Sequence, residues 1–291
     1  MEQVEIGIIG GSGFYRMKNV KNSHYVQQDT PFGRPSDQLM IGELNGRTVA
    51  FLSRHGLGHR LNPSEVNYRA NLFAMKMLGV EKLISVTAVG SLKEELEPIH
   101  LVIPDQYFDN TFKREKTFFE EGIVAHVSMA EPTCSYLSKA AAKGAKEIGI
   151  TVHLGGVYFN MEGPQFSSKA ESNFYRNQGF SIIGMTQAVE AKLARELEMC
   201  FLPLAFVTDY DCWHEEEGPV NVEMVIEYLN KNVTNAVKLI ESLTLSVERE
   251  RTHCDCADSL KYALITSPGL YPEKTLKKLE PIIKKYLKKR G

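Results

Sequence analysis

Apolar residues in this chain follow two rhythms. Short aliphatic and β-branched runs recur at residues 4–9, 39–41, 48–52, 82–86, 180–185 and 201–207, each stopped by glycine or polar residues, and these read as strands, as does the stretch 101–107. Between them, apolar positions spaced three to four residues apart predict helices over 62–78, 133–149, 189–198 and, as two helices, 222–243. In the first of these, Asn62-Pro63-Ser64-Glu65 reads as the start, Gly79 as the stop, and Ala70, Phe73, Ala74 and Met77 as the core-facing stripe. Asn45-Gly46 between two apolar runs is a strong hairpin signal. Residues 151–153 and 156–160 read as strands that pair with each other, residues 18–22 as loop, and Ser167 or Ser168 as the cap of a further helix. The pattern is that of an α/β chain, with no internal repeat and no low-complexity linker.

The run 201–207 ends abruptly in Thr208-Asp209-Tyr210-Asp211-Cys212-Trp213. Ligands of open α/β sheets sit beyond the carboxyl ends of strands, and side chains two apart lean the same way. Asp209 and Asp211 can therefore face one small ligand, and two acceptors suit a donor edge such as the amino group and protonated ring nitrogen of adenine. The competing reading is a solvated Asp or an Asx-turn.

Other strand ends carry anion chemistry. Gly10-Gly11-Ser12-Gly13 lacks the third glycine of the dinucleotide fingerprint, since Arg16 stands there, so its bare amides and the Ser12 hydroxyl suit an anion instead. Arg54 beside His55 forms a fork-like clamp. His55 and His59 have a metal-like spacing, but Gly56 and Gly58 remove the helix that would align them. Thr87 and Ala88 end a third strand, and the three ends can converge on one phosphate.

With 291 residues and 43% apolar content, the chain fits one large α/β domain or two small ones. A net charge of −2 gives no reason to expect nucleic acid or an anionic membrane as partner. No secretory signal and no membrane-length apolar run are visible, so a cytoplasmic setting is expected. The lysine-rich stretch 276–287 is amphipathic and reads as a surface helix packing its apolar stripe. Five cysteines, an odd number, make no simple disulfide framework. Cys254-Asp255-Cys256 after His253 is open to three readings: a metal site, which lacks a second ligand pair nearby, a strained disulfide, or idle thiols.

Taken in order, Gly10-Gly11-Ser12-Gly13, Ser53-Arg54-His55-Gly56, Asn62-Pro63-Ser64-Glu65-Val66-Asn67-Tyr68, Thr87-Ala88-Val89-Gly90-Ser91, Glu162-Gly163-Pro164-Gln165-Phe166, Gly184-Met185-Thr186 and the Asp209–Trp213 segment resemble the trimer/hexamer-forming purine nucleoside phosphorylases. The resemblance covers roughly residues 4–245. It implies a single α/β domain, a mixed sheet partly closed into a distorted barrel and surrounded by helices, spanning residues 1–245, with 246–291 as a C-terminal extension. It implies phosphorolysis of a purine nucleoside, with inorganic phosphate as co-substrate, no cofactor and no metal, in a homotrimer or homohexamer.

By the same resemblance Ser12, Arg54, His55, Thr87, the Ala88 amide and Thr186 would hold phosphate. Phe166 would lie against the base and Met185 against the ribose. Asp209 would serve N7 as general acid, and Asp211 the N6 amino group. Relatives that act on 6-oxopurines carry asparagine at the Asp209 position and histidine at the Val222 position. Asp209, Ser167 and the apolar Val222 therefore imply adenine and an apolar 5′ substituent such as a methylthio group, with a broader enzyme accepting adenosine or inosine as the alternative. His126 resembles a residue that reaches into the neighbouring subunit's site. Thermophilic members carry a C-x-C near the C-terminus and intrasubunit disulfides, which implies a bond at Cys254 and Cys256 and another between Cys134 and Cys200.

Overall fold

The computed structural model describes residues 3–11, 17, 19–214 and 222–287, with only the backbone for 222–226. In chain order the elements are β1 (Ile6–Gly10), β2 (Lys21–Val26), β3 (Leu39–Leu44), β4 (Arg47–Ser53), α1 (Tyr68–Met77), β5 (Lys82–Ser91), β6 (Leu101–Ile103), β7 (Gln106–Asp109), α2 (Ser135–Glu147), β8 (Val152–Leu154), β9 (Val157–Asn160), α3 (Lys169–Asn177), β10 (Ile182–Gly184), α4 (Gln187–Glu196), β11 (Cys200–Asp209), α5 (Val222–Ser246) and α6 (Glu273–Leu287).

All the strands belong to one mixed sheet, in the order β2-β3-β4-β1-β5-β10-β9-β7, with β11 joining β5 to β6 and β6 pairing β8. β4, β1, β5 and β11 are parallel neighbours, so their carboxyl ends lie side by side. β5 is long enough to be shared. Lys82 to Ser85 pair with β1, Gly90 and Ser91 pair with β10, and β11 runs along the other edge. The sheet forks at β5, and among the described residues no pairing joins its free edges, so the expected partial closure is not made by the strand ladder.

Helices cover both faces. Ile9, Leu52, Leu83 and Phe201 pack in one cluster with Phe73 of α1, Leu193 of α4 and Leu279 and Ile283 of α6. Ile8, Phe51, Ile84, Leu202 and Phe206 point the other way and pack with Leu137 of α2 and Leu239 and Ile240 of α5. Burial on both faces explains why the central strands read as unbroken apolar runs rather than alternating ones. The lysine-rich tail packs its stripe as expected: Leu279, Ile282, Ile283 and Tyr286 of α6 are buried against the same core as α1 and α4. Lys277 and Lys284 stay on the wet side, pairing with Glu273 and Glu280 one turn away, while Lys278 is largely buried against Glu120 and Glu121.

Local structure departs from the sequence reading where side chains satisfy the backbone in an unexpected place. The hairpin holds: Asn45 and Gly46 both take positive φ (53° and 73°) between β3 and β4. The first helix, however, begins at Tyr68. Asn62 caps only a turn, through its Oδ1 to the Ser64 and Glu65 amides, while Asn67 accepts from Ala70 N at 3.1 Å and is the real cap. β8 and β9 do not pair with each other. Gly155 and Gly156 (φ 95° and 110°) send them to different arms of the fork, β8 to β6 and β9 to β10 and β7. The two helices expected after residue 222 are one. Residues 21–26 form β2, on the exposed edge beside β3. All five cysteines are free, so neither expected disulfide is formed. The closest recorded approach, Cys200 Sγ to Cys254 Sγ at 3.4 Å, is well beyond the ~2.05 Å of a bond.

Candidate active site

The parallel strands bring three of the predicted ends together. Gly10 closes β1, and its carbonyl accepts the Arg54 amide at 2.9 Å, which ties the glycine turn to the residue after β4. On the other side of β1, Ile9 stands opposite Ser85 of β5, two residues before Thr87. Ser12 lies outside the described residues, as does the side chain of Val222, the first residue of α5.

Arg54 is not a free clamp. It is almost wholly buried, its Nε and Nη2 donate to Glu190 at 2.5 and 3.0 Å, and its Nη1 and Nη2 donate to the Val86 carbonyl and the Ser85 hydroxyl at 3.0 and 2.9 Å. Burial works against its charge, but Glu190 outweighs that and lifts the pKa above its ordinary value. Ser85 also donates to Glu190 at 2.6 Å, and Gln187 Nε2 donates to the Ser85 carbonyl at 2.8 Å. The cation is thus held in a planar, bidentate pair that fixes its direction. Sequence reasoning did not single out Glu190, Ser85 or Gln187. The available signal was a carboxylate in the first turn of a helix whose neighbours, Ala188, Val189 and Ala191, are all buried.

His55 is held neutral. Its Nδ1 donates to the Leu61 carbonyl at 2.9 Å, and its ring stacks on His59 at 4.2 Å. Burial, with Arg54 behind it, pushes the pKa down to about 4. With Nδ1–H engaged, Nε2 presents a lone pair, so His55 accepts a proton-bearing oxygen rather than attracting a bare anion. Thr87 is half-buried with its hydroxyl on the Ala88 carbonyl at 3.1 Å, and Ala88 is exposed. Thr186 precedes α4, is buried, and its Oγ1 makes no hydrogen bond among the described residues.

The other end of the site is built on β5 and β11. A register shift between Val207 and Asp209 re-aims the last residue of β11. Asp209 accepts from Asp211 N at 2.8 Å and Thr208 Oγ1 at 2.7 Å. The first of these is the Asx-turn of the competing reading, so the turn and the paired carboxylates coexist. Gly90 stands opposite, and a Cβ there would lie 3.1 Å from Asp209 Oδ1. Any larger residue there would crowd the carboxylate against β5.

Asp211 adopts φ 54°, a left-handed conformation that Asp tolerates. Among the described residues its buried Oδ2 makes no hydrogen bond, nor do the nearby buried hydroxyls of Ser167 and Ser172. Burial pushes its carboxyl above the usual range, against the opposing pull of Ser172 and Ser167. Ser167 arrives through the loop before α3, pinned by Cys212 Sγ to its carbonyl at 3.2 Å and by the capping box of Ser168 with Glu171. Phe166 is 83% exposed. Met185 is half-buried beside Gly163, where a Cβ would meet its sulfur at 2.5 Å. Glu162 and Arg114, also missed from sequence, lock this loop. Glu162 accepts from Phe112 N and Ser64 Oγ, and Arg114 donates to the Glu162 and Met185 carbonyls. His126 makes no recorded contact with these residues; its amide donates to the Ala263 carbonyl at 2.8 Å. A separate cavity of about 400 Å³, lined by Arg34, Asp37, Arg60 and Glu65 among others, contains none of the predicted site residues.

Residues 5–244 match the model of the Phosphorylase superfamily. The chain is 51% identical over 284 residues to S-methyl-5′-thioadenosine phosphorylase of Koribacter versatilis, covering 98% of this chain and 97% of that protein. It is 50% identical over 288 residues to the protein of that name from Geobacter sulfurreducens, covering 99% and 100%. Among solved structures, a methylthioadenosine phosphorylase from an antarctic soil metagenomic library superposes with a TM-score of 0.93 at 45% identity, over 97% of this chain and 99% of that one. Methylthioadenosine phosphorylase from Schistosoma mansoni, in complex with adenine, superposes at 0.82 with 35% identity, over 89% and 96%. Strand order, strand-end chemistry and full-length similarity agree, and the chain belongs to the phosphorylase superfamily, in its S-methyl-5′-thioadenosine phosphorylase family.

Proposed function

We propose that the protein catalyses reversible phosphorolysis of S-methyl-5′-thioadenosine to adenine and 5-methylthioribose 1-phosphate. The observation that carries this reading is the pair Asp209 and Asp211 at the end of β11, with a buried oxygen on Asp211 that makes no hydrogen bond among the described residues, in a chain half identical to proteins of that name. Two carboxylates match a ring nitrogen that must gain a proton and an exocyclic amino group. They do not match the O6 of hypoxanthine.

In this reading phosphate enters as co-substrate, with no cofactor. It lies between the glycine turn with Ser12, the Arg54–His55 corner, Thr87 with the Ala88 amide, and Thr186, whose buried hydroxyl makes no hydrogen bond among the described residues. Arg54 is neutralised by Glu190 and uses four of its five N–H groups inside the protein, so it offers phosphate one directed Nη1 N–H more than net charge. His55, neutral with Nε2 free of its proton, accepts from a protonated phosphate oxygen. A phosphate oxygen attacks C1′ as the glycosidic bond breaks, and the charge of the oxocarbenium-like sugar falls between the anion and the departing base. Asp209 delivers the proton to N7, Asp211 accepts from N6, Ser167 stands beside Asp211, Phe166 covers the base and Met185 the ribose.

We infer a cytoplasmic homo-oligomer, trimer or hexamer, with residues 1–245 as the catalytic unit and 246–291 as an extension. In one chain Phe166 is open to solvent, and His126 makes no recorded contact with the site. A neighbouring subunit offering His126 would close the sugar end, with Val222 as its apolar wall. A second reading, with adenosine also accepted, is favoured by one observation: a structural neighbour at 36% identity is an adenosine/methylthioadenosine phosphorylase of Schistosoma mansoni. Initial rates on methylthioadenosine, adenosine and inosine, with and without phosphate, test both. The expected order is methylthioadenosine, adenosine, inosine, each requiring phosphate. Turnover without phosphate, or inosine as best substrate, would refute the reading.

A further inference from the structure

The sulfurs of Cys134, Cys200, Cys254 and Cys256 all lie within 4.8 Å of one another, three of the residues buried and Cys254 half-buried. They come from three distant parts of the chain. Cys134 is the residue before α2, and its amide donates to the Phe201 carbonyl at 2.8 Å. Cys200 opens β11. Cys254 and Cys256 lie in the segment after α5, where Asp255 (φ −90°, ψ 13°) is in a turn and Cys256 begins a short 3-10 turn. In an extended chain, residues two apart separated by a single position would project alike but stretch away along the strand. The turn at Asp255 instead keeps both sulfurs at one spot. This supplies the second ligand pair that the C-x-C motif lacks in sequence.

We propose that this cluster is a structural zinc site, a tetrathiolate that fastens the C-terminal segment to the start of β11 and to α2. A tetrahedral Zn²⁺ with bonds of about 2.3 Å places its sulfurs about 3.8 Å apart, which the observed spacing of 3.4 Å for Cys200–Cys254 and at most 4.8 Å elsewhere brackets. Two disulfides could also use four sulfurs, but all four are free here, and their convergence from three elements is what a single ion satisfies at once. Four thiolates also suit a soft divalent cation over magnesium or calcium. Binding converts the thiols to thiolates and releases their protons to solvent, leaving a site of net negative charge. Lys82, opposite Cys200 in the β5–β11 ladder and itself buried, stands beside it as a compensating cation.

The site is structural because of where it lies. Cys200 and Asp209 are the two ends of the ten-residue β11, roughly 30 Å apart at strand spacing. Zinc there touches no reacting atom, and its effect falls on the attachment of residues 250–260.

The test uses full-length protein purified in reductant and without chelator. Elemental analysis is expected to find stoichiometric zinc. Reduced, metal-free protein titrated with Co²⁺ is expected to develop sulfur-to-cobalt charge-transfer absorption and the visible bands of tetrahedral cobalt. The double variant C254S/C256S is expected to lose both, with Tm lower by roughly 10 °C and turnover at room temperature within about twofold of the parent. Should the variant fail to fold, the cobalt titration of the parent protein decides alone. Absence of thiolate bands with Co²⁺, or peptide mapping of never-reduced protein that finds these cysteines joined as disulfides, would overturn the proposal. Loss of turnover in step with metal removal would overturn its structural role.

Discussion

Asp211 is held where its charge is poorly served: burial lifts its carboxyl more than the nearby Ser172 and Ser167 hydroxyls lower it, and among the described residues Oδ2 makes no hydrogen bond. An amino group of the ligand supplies one, so binding favours the ionised form. Adenine affinity is therefore expected to fall as pH drops through the Asp211 pKa, and Asp211→Asn is expected to flatten that profile in calorimetric titrations. Asp209 answers to a different measurement. As proton donor to N7 it is worth about 10²- to 10⁴-fold, so Asp209→Ala is expected to lower kcat on methylthioadenosine by that factor. A kcat within about tenfold of the parent would remove the role. His55 gives a stability signature. Its folded pKa of about 4 lies below its ordinary 6.5, so the unfolded chain binds more protons between these values. The stability it contributes is complete above 6.5 and is lost as pH falls toward 4. Buried Glu196, raised from 4.5 to about 7, has the opposite sign: its contribution is complete below 4.5 and is lost as pH rises through 7. The two oppose each other where they overlap, so His55→Asn must be compared with the parent by Tm across the window. The paired carboxylates and the Arg54–His55 corner were legible in sequence because each stands at an abrupt apolar-to-polar boundary. Glu190 was not, because nothing in sequence pairs it with Arg54, 136 residues away.

At the scale of elements, the site depends on buried ion pairing and on a capped loop. Glu190→Gln leaves Arg54 buried without its counter-charge and is expected to cost about 3–5 kcal/mol of stability. Added phosphate is expected to raise the Tm of this variant more than that of the parent, since an anion replaces the missing charge. Ser168→Ala removes the capping box of α3 and is expected to cost about 1 kcal/mol. It also loosens the segment carrying Phe166 and Ser167, so KM for the nucleoside should rise more than kcat falls. Periodicity revealed the central strands, α2, α4 and the hairpin. It misplaced the start of α1, because two asparagines five residues apart can both cap and only tertiary packing chooses Asn67. It also paired β8 with β9, since sequence proximity says nothing of the fork at β5.

For the molecule as a whole, the C-terminal segment is bound into the core rather than appended to it. α6 buries Leu279, Ile282, Ile283 and Tyr286 on the face shared by α1 and α4, and Lys285 pairs with buried Glu198 at 2.6 Å. Deleting residues 273–291 is expected to expose that face and to yield aggregated or thermally fragile protein, read by size-exclusion chromatography and Tm. The amphipathic stripe was visible in the sequence, but its docking partner was not. The convergence of four cysteines was likewise hidden, since their separations in the chain carry no mark of it. The central claim is that one edge of the parallel strands holds an oxyanion at the β4–β1–β5 ends and an aminopurine at the β11 end. A crystal structure with adenine and phosphate tests it most directly. The account expects N7 within hydrogen-bond distance of Asp209, N6 on Asp211, and phosphate against His55, Thr87 and Thr186. Solvent beside the two aspartates, with adenine bound elsewhere, would contradict it.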